Sequence, residues 1–213
     1  LDGTAIDMPA GPSEVVVLAG KGANPEFIAS DLLSQAEHGP DSQAILITDA
    51  ADLVDEVKLA VEQQLETLPR KEITKLALEH SRLILVNDLS EGMDLVNAYA
   101  PEHLIIVTEQ SEQNAEKVIN AGSVFVGPYS PESAGDYASG TNHVLATNGF
   151  ARTFSGVSVE SFLKKITFQK LTPEGLAGIG QAIETMAESE GLLAHKQAVS
   201  LRLTKWKNNQ NES

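Results

Sequence analysis

Four stretches of this sequence hold side chains able to bind a metal or move a proton. In SQAEHGPDSQ (34–43), Gln35 and His38 stand three positions apart at the end of an apolar helical run, so both leave one face. An amide oxygen and an imidazole nitrogen on one face suit a shared zinc ion, with a carboxylate as third ligand. NAYAPEHL (97–104) sets Glu102 beside His103 at a helix-to-strand junction, two proton-transfer groups whose side chains diverge. The loop-like stretch GPYSPESAGDYASGTNHVLATNGFAR (127–152) contributes Asp136 and His143, with glycines that let backbone approach a ligand closely. ESEGLLAHK (188–196) adds Glu190 and His195 around Gly191. Taken singly, each stretch also has a bland reading as a solvated helix end, a cap or a turn, the long loop least so because nothing else explains its length. A shared centre requires that they converge.

The elements that must position them follow from the apolar pattern. EVVVLAG (14–20), AILIT (44–48), RLILV (82–86), HLIIVT (103–108) and SVFVG (123–127) are short apolar runs that read as buried strands. Helical patterns separate them: from Pro25 to Gly39-Pro40, over 51–68, over 91–100 and over 111–122. Strands of this kind alternating with helices predict an α/β fold, a doubly wound, mostly parallel sheet of incomplete Rossmann-like form. From Pro128 to Gly156 the pattern dissolves into turn residues, and an unstructured connection of that length is usually functional. A helix and a short strand are expected in VSVESFLKKITFQKL, then helices from Pro173 and over 192–206, with NNQNES as a polar tail. The division predicted is a Rossmann-like domain over 1–157 and a C-terminal helical extension over 158–213 that serves dimerisation. One caution attaches to the site: ligands of open parallel sheets gather at the carboxyl ends of strands, whereas Glu102 and His103 precede theirs.

The 213 residues carry 15 Lys and Arg against 30 Asp and Glu, a formal charge of −15 that argues against nucleic acid or an anionic membrane as partner. There is no cysteine, which excludes disulfides and thiolate metal sites and fits a cytoplasmic protein. No apolar run approaches the roughly 20 residues of a membrane span. The sequence opens on Leu1 with no basic segment leading into an apolar one, and reads as the interior of a longer gene product. LAGKGANP (18–25) follows a strand and opens a helix but matches neither G-x-G-x-x-G nor G-x-x-x-x-G-K-[ST], so a plain turn is expected there.

IDMPAGPSEVVVLA, ASDLLSQAEHGPDSQ, NAYAPEHL, AGSVFVGPYSPESAGDYASGTNHVLATNGFAR, SGVSVESFLKK and EGLLAHKQAVSLR, in this order, resemble the histidinol dehydrogenase family. The resemblance implies a zinc-dependent, NAD-linked oxidation of L-histidinol through L-histidinal to L-histidine, with one zinc per subunit of a homodimer. It implies zinc ligation by Gln35, His38 and Asp136, with a fourth ligand from His195 of the partner subunit. Glu102 and His103 match the acid/base pair. Ser13, His143 and Glu190 match substrate-contacting or pocket positions, Glu190 again reaching across the dimer, and the ligands and His103 also touch substrate. Two departures stand out. Ala146 occupies a position where the family usually has proline, and the resemblance covers only the C-terminal part, without the half that carries the NAD contacts. The chain alone is therefore expected to bind no NAD and oxidise no histidinol; steady NADH formation by it would refute this. The competing readings are a zinc hydrolase with Glu102 activating water, and a non-catalytic domain that binds a metal or an amino-acid-like ligand.

Overall fold

Every residue of β1 (Glu14–Ala19) is buried, and the strand lies at the centre of a five-stranded sheet. The computed structural model describes residues 8–211. β2 (Gln43–Thr48), β3 (Arg82–Leu85), β4 (His103–Val107) and β5 (Ser123–Val126) complete the sheet in the order β3-β2-β1-β4-β5, every pairing parallel. Alternate strand residues feed two cores. Val15, Val17, Leu46 and Ile105 meet Ile28 and Leu32 of α1 (Pro25–Ala36) and Leu53 and Val57 of α2 (Ala51–Leu65) on one face. Val16, Leu18, Ile47, Leu104 and Ile106 meet Met93 and Val96 of α4 (Leu89–Tyr99) on the other. Each such side chain contributes roughly 1.5–3 kcal/mol by burial, and helices on both faces make the sheet doubly wound.

The structure departs from the sequence reading in several elements. A helix, α3 (Lys71–His80), occupies a stretch to which no element was assigned, because only Thr74 and Ala77 are buried and its apolar stripe is thin. The helix expected over 111–122 stops early as α5 (Ser111–Ala115). Asn97 is the reason: its Oδ1 accepts from the Ile119 N–H at 2.7 Å and from the Asn120 N–H at 3.2 Å, taking donors that a continuing helix would have used. The long stretch after Pro128 is not structureless, since α6 (Glu132–Tyr137) forms within it. The helix and strand expected just beyond it reduce to one 3₁₀ turn, Val159–Phe162.

The chain divides into two compact units, 1–163 and 164–213. The second is a helical hairpin of α7 (Pro173–Ser189) and α8 (Leu193–Asn211). Gly180 lets the two pack, as a Cβ there would stand 2.5 Å from Leu203 Cδ1. α8 extends past the expected end at 206 into the polar tail.

Candidate functional site

Three parts of the first unit bring chemistry to the amino-terminal edge of the sheet. α1 is started by Asn24, whose Oδ1 accepts from the Glu26 N–H at 2.8 Å, and by Pro25 in its first turn. Its regular turns end at Ala36, but the His38 N–H donates to the Gln35 carbonyl at 3.2 Å, a tightened last turn. Gln35 is fully buried and His38 exposed. His38 and Ser13 line a cavity of about 300 Å³.

Glu102 and His103 arrive from the turn after α4. Asp88 caps that helix, accepting from the Ser90 and Glu91 N–H groups at 2.8 and 2.9 Å, and Ala100 ends it in the left-handed region at φ 58°. The Gly122 N–H then donates to the Pro101 carbonyl and the Ser123 N–H to the Glu102 carbonyl, both at 2.9 Å, fastening the pair to the start of β5. A Cβ at Gly122 would stand 2.5 Å from the Glu102 carbonyl oxygen, so that approach needs glycine. α6 supplies the third part. Gly135 lies against the Phe125 ring, 2.5 Å from where a Cβ would be, and seats the helix with Glu132 and Asp136 one turn apart beside His103.

The main chain of Glu14 holds the proton-transfer pair. Its N–H donates to Glu102 Oε2 at 2.9 Å, and its carbonyl lies 3.2 Å from His103 Nδ1. A carbonyl only accepts, so Nδ1 carries the ring proton and Nε2 keeps its lone pair. Nε2 is buried, without a hydrogen-bond partner among the described residues, and Asp136 Oδ1 is 3.9 Å away. Glu102 Oε2 and Glu132 Oε1 stand 3.6 and 3.7 Å from Nδ1. With its amide turned so that donors meet acceptors, Gln35 places its nitrogen 2.9 and 3.0 Å from the two Glu132 oxygens. The same nitrogen is 3.2 Å from His103 Nδ1, but that atom gives its proton to Glu14, so Glu132 takes the amide.

Burial sets the electrostatics. It lowers the His103 pKa, with His38 and His143 pushing the same way against Asp136 and the Glu14 carbonyl, so the imidazole stays neutral near neutral pH. Burial first, then the charges of Glu14 and Asp136, pushes Glu102 up to about 7 against the Glu14 N–H. Glu132 is pushed up to about 9 by burial and by Asp136, Glu102 and Asp31; Asp31 itself, desolvated, rises to about 7. No lysine or arginine enters these four balances. Carboxyl groups gathered without a counterion hold protons more tightly and, once ionised, attract a cation. One ligand atom each from His38, Glu132 and Asp136 lies within 4.8 Å of the others, close enough for the three to hold a metal ion between them.

The profile of the histidinol dehydrogenase family matches residues 1–203. The chain belongs to that family. The histidinol dehydrogenase of Bacteroides thetaiotaomicron is 63% identical over 199 residues, covering 93% of this chain and 46% of the relative. That of Yersinia pestis is 59% identical over 204 residues, 96% of this chain and 46% of the relative. The crystal structure of histidinol dehydrogenase from Elizabethkingia anophelis superposes with a TM-score of 0.94 at 57% identity, over 96% of this chain and 47% of that one. The chain thus spans about half the length of the histidinol dehydrogenases it matches.

Of the residues singled out from the sequence, the structure brings Gln35, His103 and Asp136 together, with His38 beside Asp136 and His143 close enough to act on His103. Ser13 stands in the turn before β1, where its carbonyl accepts from the Gln43 N–H at 3.0 Å. Glu190 and His195 belong to the second unit, in the turn after α7 and in the first turn of α8, both exposed. Sequence reasoning missed Glu132, Glu14 and Asp31. Glu132 did leave a signal, four residues before Asp136 and just after Pro131. Glu14 left another, a charged first residue on a strand otherwise wholly apolar.

Proposed function

We propose that this chain supplies the zinc- and substrate-holding half of a histidinol dehydrogenase, oxidising L-histidinol through L-histidinal to L-histidine with NAD. The buried lone pair on His103 Nε2 carries the reading: a neutral imidazole with its tautomer set by Glu14, unpartnered, next to His38, Glu132 and Asp136. Gln35, His38 and Asp136 would hold zinc, with the fourth position taken by His195 of the partner subunit. A bound zinc would supply the positive charge that the carboxyl cluster lacks and a clamp for the neutral imidazole and amine nitrogens of the substrate.

His103 accepts the hydroxyl proton at Nε2 as the alcohol carbon gives up hydride to the nicotinamide, leaving the aldehyde. Glu102, tied at Oε2 to the Glu14 N–H, takes a proton from the water that adds to the aldehyde carbon. The carbonyl oxygen takes back the proton held at His103 Nε2 as the water adds. The hydrate then gives its hydride to a second NAD and its two hydroxyl protons to His103 and solvent, leaving the carboxylate. A Glu102 that titrates near 7 is half ionised at neutral pH, so this base strengthens as pH rises through that value. Ser13 and His143, together with Glu190 of the partner subunit, line the substrate's path, and the NAD contacts belong to the part of the relatives that this chain does not span.

The experiment is a thermal shift on the full-length protein with zinc and L-histidinol, singly and together. The expected outcome is a rise with both that exceeds the sum of the separate rises. Equal stabilisation by an alkyl diamine lacking imidazole would sink the substrate reading.

A further inference from the structure

We infer that Glu132 is the positioning residue of the metal centre: its carboxylate takes the amide nitrogen of Gln35 and so turns the carbonyl oxygen of Gln35 away from itself and toward the ion. The inference rests on the zinc reading above. The two ends of a glutamine amide have nearly the same size and shape, so packing cannot choose between them; only hydrogen bonding can. Gln35 is fully buried, which removes water as an arbiter. What faces it is Glu132, 2% exposed, with both oxygens within 3.0 Å of one end of the Gln35 amide, the end that is nitrogen when donor meets acceptor.

A carboxylate accepts and does not donate, so it selects the nitrogen, and a dication beside it favours that ionised form. The oxygen is then the end left free of Glu132, and on this inference it goes to the ion that His38 and Asp136, within 4.8 Å of a Glu132 oxygen, would share. Gly135 fixes the arrangement by letting α6 sit flush on Phe125, with Glu132 and Asp136 a turn apart. The competing role is direct ligation, since a Glu132 oxygen lies within 4.8 Å of the His38 and Asp136 ligand atoms. Each oxygen faces the one amide and keeps a second lone pair, so positioning and ligation differ in whether Glu132 itself is counted in the ligand set.

The test uses the full-length protein, with zinc affinity read by competition against a chromophoric chelator and the ligand set read from the d–d bands of the cobalt(II) form. Glu132→Gln restores a donor facing Gln35 and leaves the amide direction undecided. The expected loss in zinc affinity is on the order of 10- to 100-fold, with the cobalt bands moving to those of Gln35→Ala. The double variant should then show the same bands as Gln35→Ala, because Glu132 acts through Gln35. Glu132→Leu is read in the same way should Glu132→Gln not yield folded protein. Unchanged bands in Glu132→Gln, or a further ligand lost in the double variant, would overturn the inference while leaving the zinc reading intact. If the unsubstituted protein takes up no zinc, both fall together.

Discussion

His103 shows how little at the residue scale is owed to the side chain alone. The ring is buried, neutral and carries its proton on Nδ1 because one carbonyl, that of Glu14, faces that nitrogen. His103→Gln keeps a buried polar group but no base, and kcat should fall by about 10²–10⁴ with zinc content unchanged; metal analysis beside steady-state kinetics checks it. Asp31 gives a prediction of the opposite kind. Its folded pKa stands near 7, above its ordinary 3.8, so the native state binds more protons than the unfolded one between those values. Stability due to the protonated form is therefore complete below pH 3.8 and lost as pH rises through 7. Asp31→Asn, which cannot ionise, should gain on the unsubstituted metal-free protein by about 2–4 kcal/mol between pH 4 and pH 8, measured by urea melts at both values. A constant difference across that window would contradict it.

At the scale of elements, two glycines in helices make a contrast. Gly135 of α6 has the Phe125 ring 2.5 and 2.8 Å and Thr141 Oγ1 2.8 Å from an added Cβ, whereas Gly178 of α7 has nothing within 4 Å. Alanine raises helix propensity by about 1 kcal/mol at either place, but overpacking costs about 1–3 kcal/mol where there is no room. Gly178→Ala should stabilise by nearly the full increment. Gly135→Ala should destabilise by about 1–2 kcal/mol and weaken zinc binding too, since α6 carries Glu132 and Asp136. Paired melts and zinc titrations decide it, and equal effects at the two sites would show that α6 is not held by that contact. Element existence was largely legible in sequence; element ends were not. The Asn97 side chain that stops α5 lies 22 residues from the N–H it captures, a distance periodicity does not sense.

For the whole molecule, the site belongs to an edge of the sheet that this topology does not favour. In a sheet ordered β3-β2-β1-β4-β5, ligands ordinarily gather at the carboxyl ends of strands, near the switch between β1 and β4. Here the carboxyls and imidazoles stand at the opposite edge, where β1 and β4 begin. A site there must borrow its remaining walls from outside the sheet, which accords with the proposal that His195 and Glu190 come from a partner subunit. Complementation tests this. Full-length His38→Ala and His195→Ala proteins, each inactive, should regain up to about a quarter of the native activity when unfolded and refolded together. A mixed dimer would hold one doubly damaged site and one intact one, and half of the dimers are mixed. No recovery would place both histidines in the same subunit's site.

Local order was available from residue spacing: five apolar runs separated by amphipathic ones dictate a parallel sheet covered on both faces, and a three-residue offset puts Gln35 and His38 on one face. Those properties depend on neighbours a few positions away. Tertiary structure alone decided that the main chain of Glu14, 88 and 89 positions before Glu102 and His103, would hold both, and that Glu132 would meet Gln35. Such meetings arise from how a helix seats on a sheet, and seating depends on close contacts such as Gly135 on Phe125 and Gly122 on Glu102. No periodicity along the chain records them.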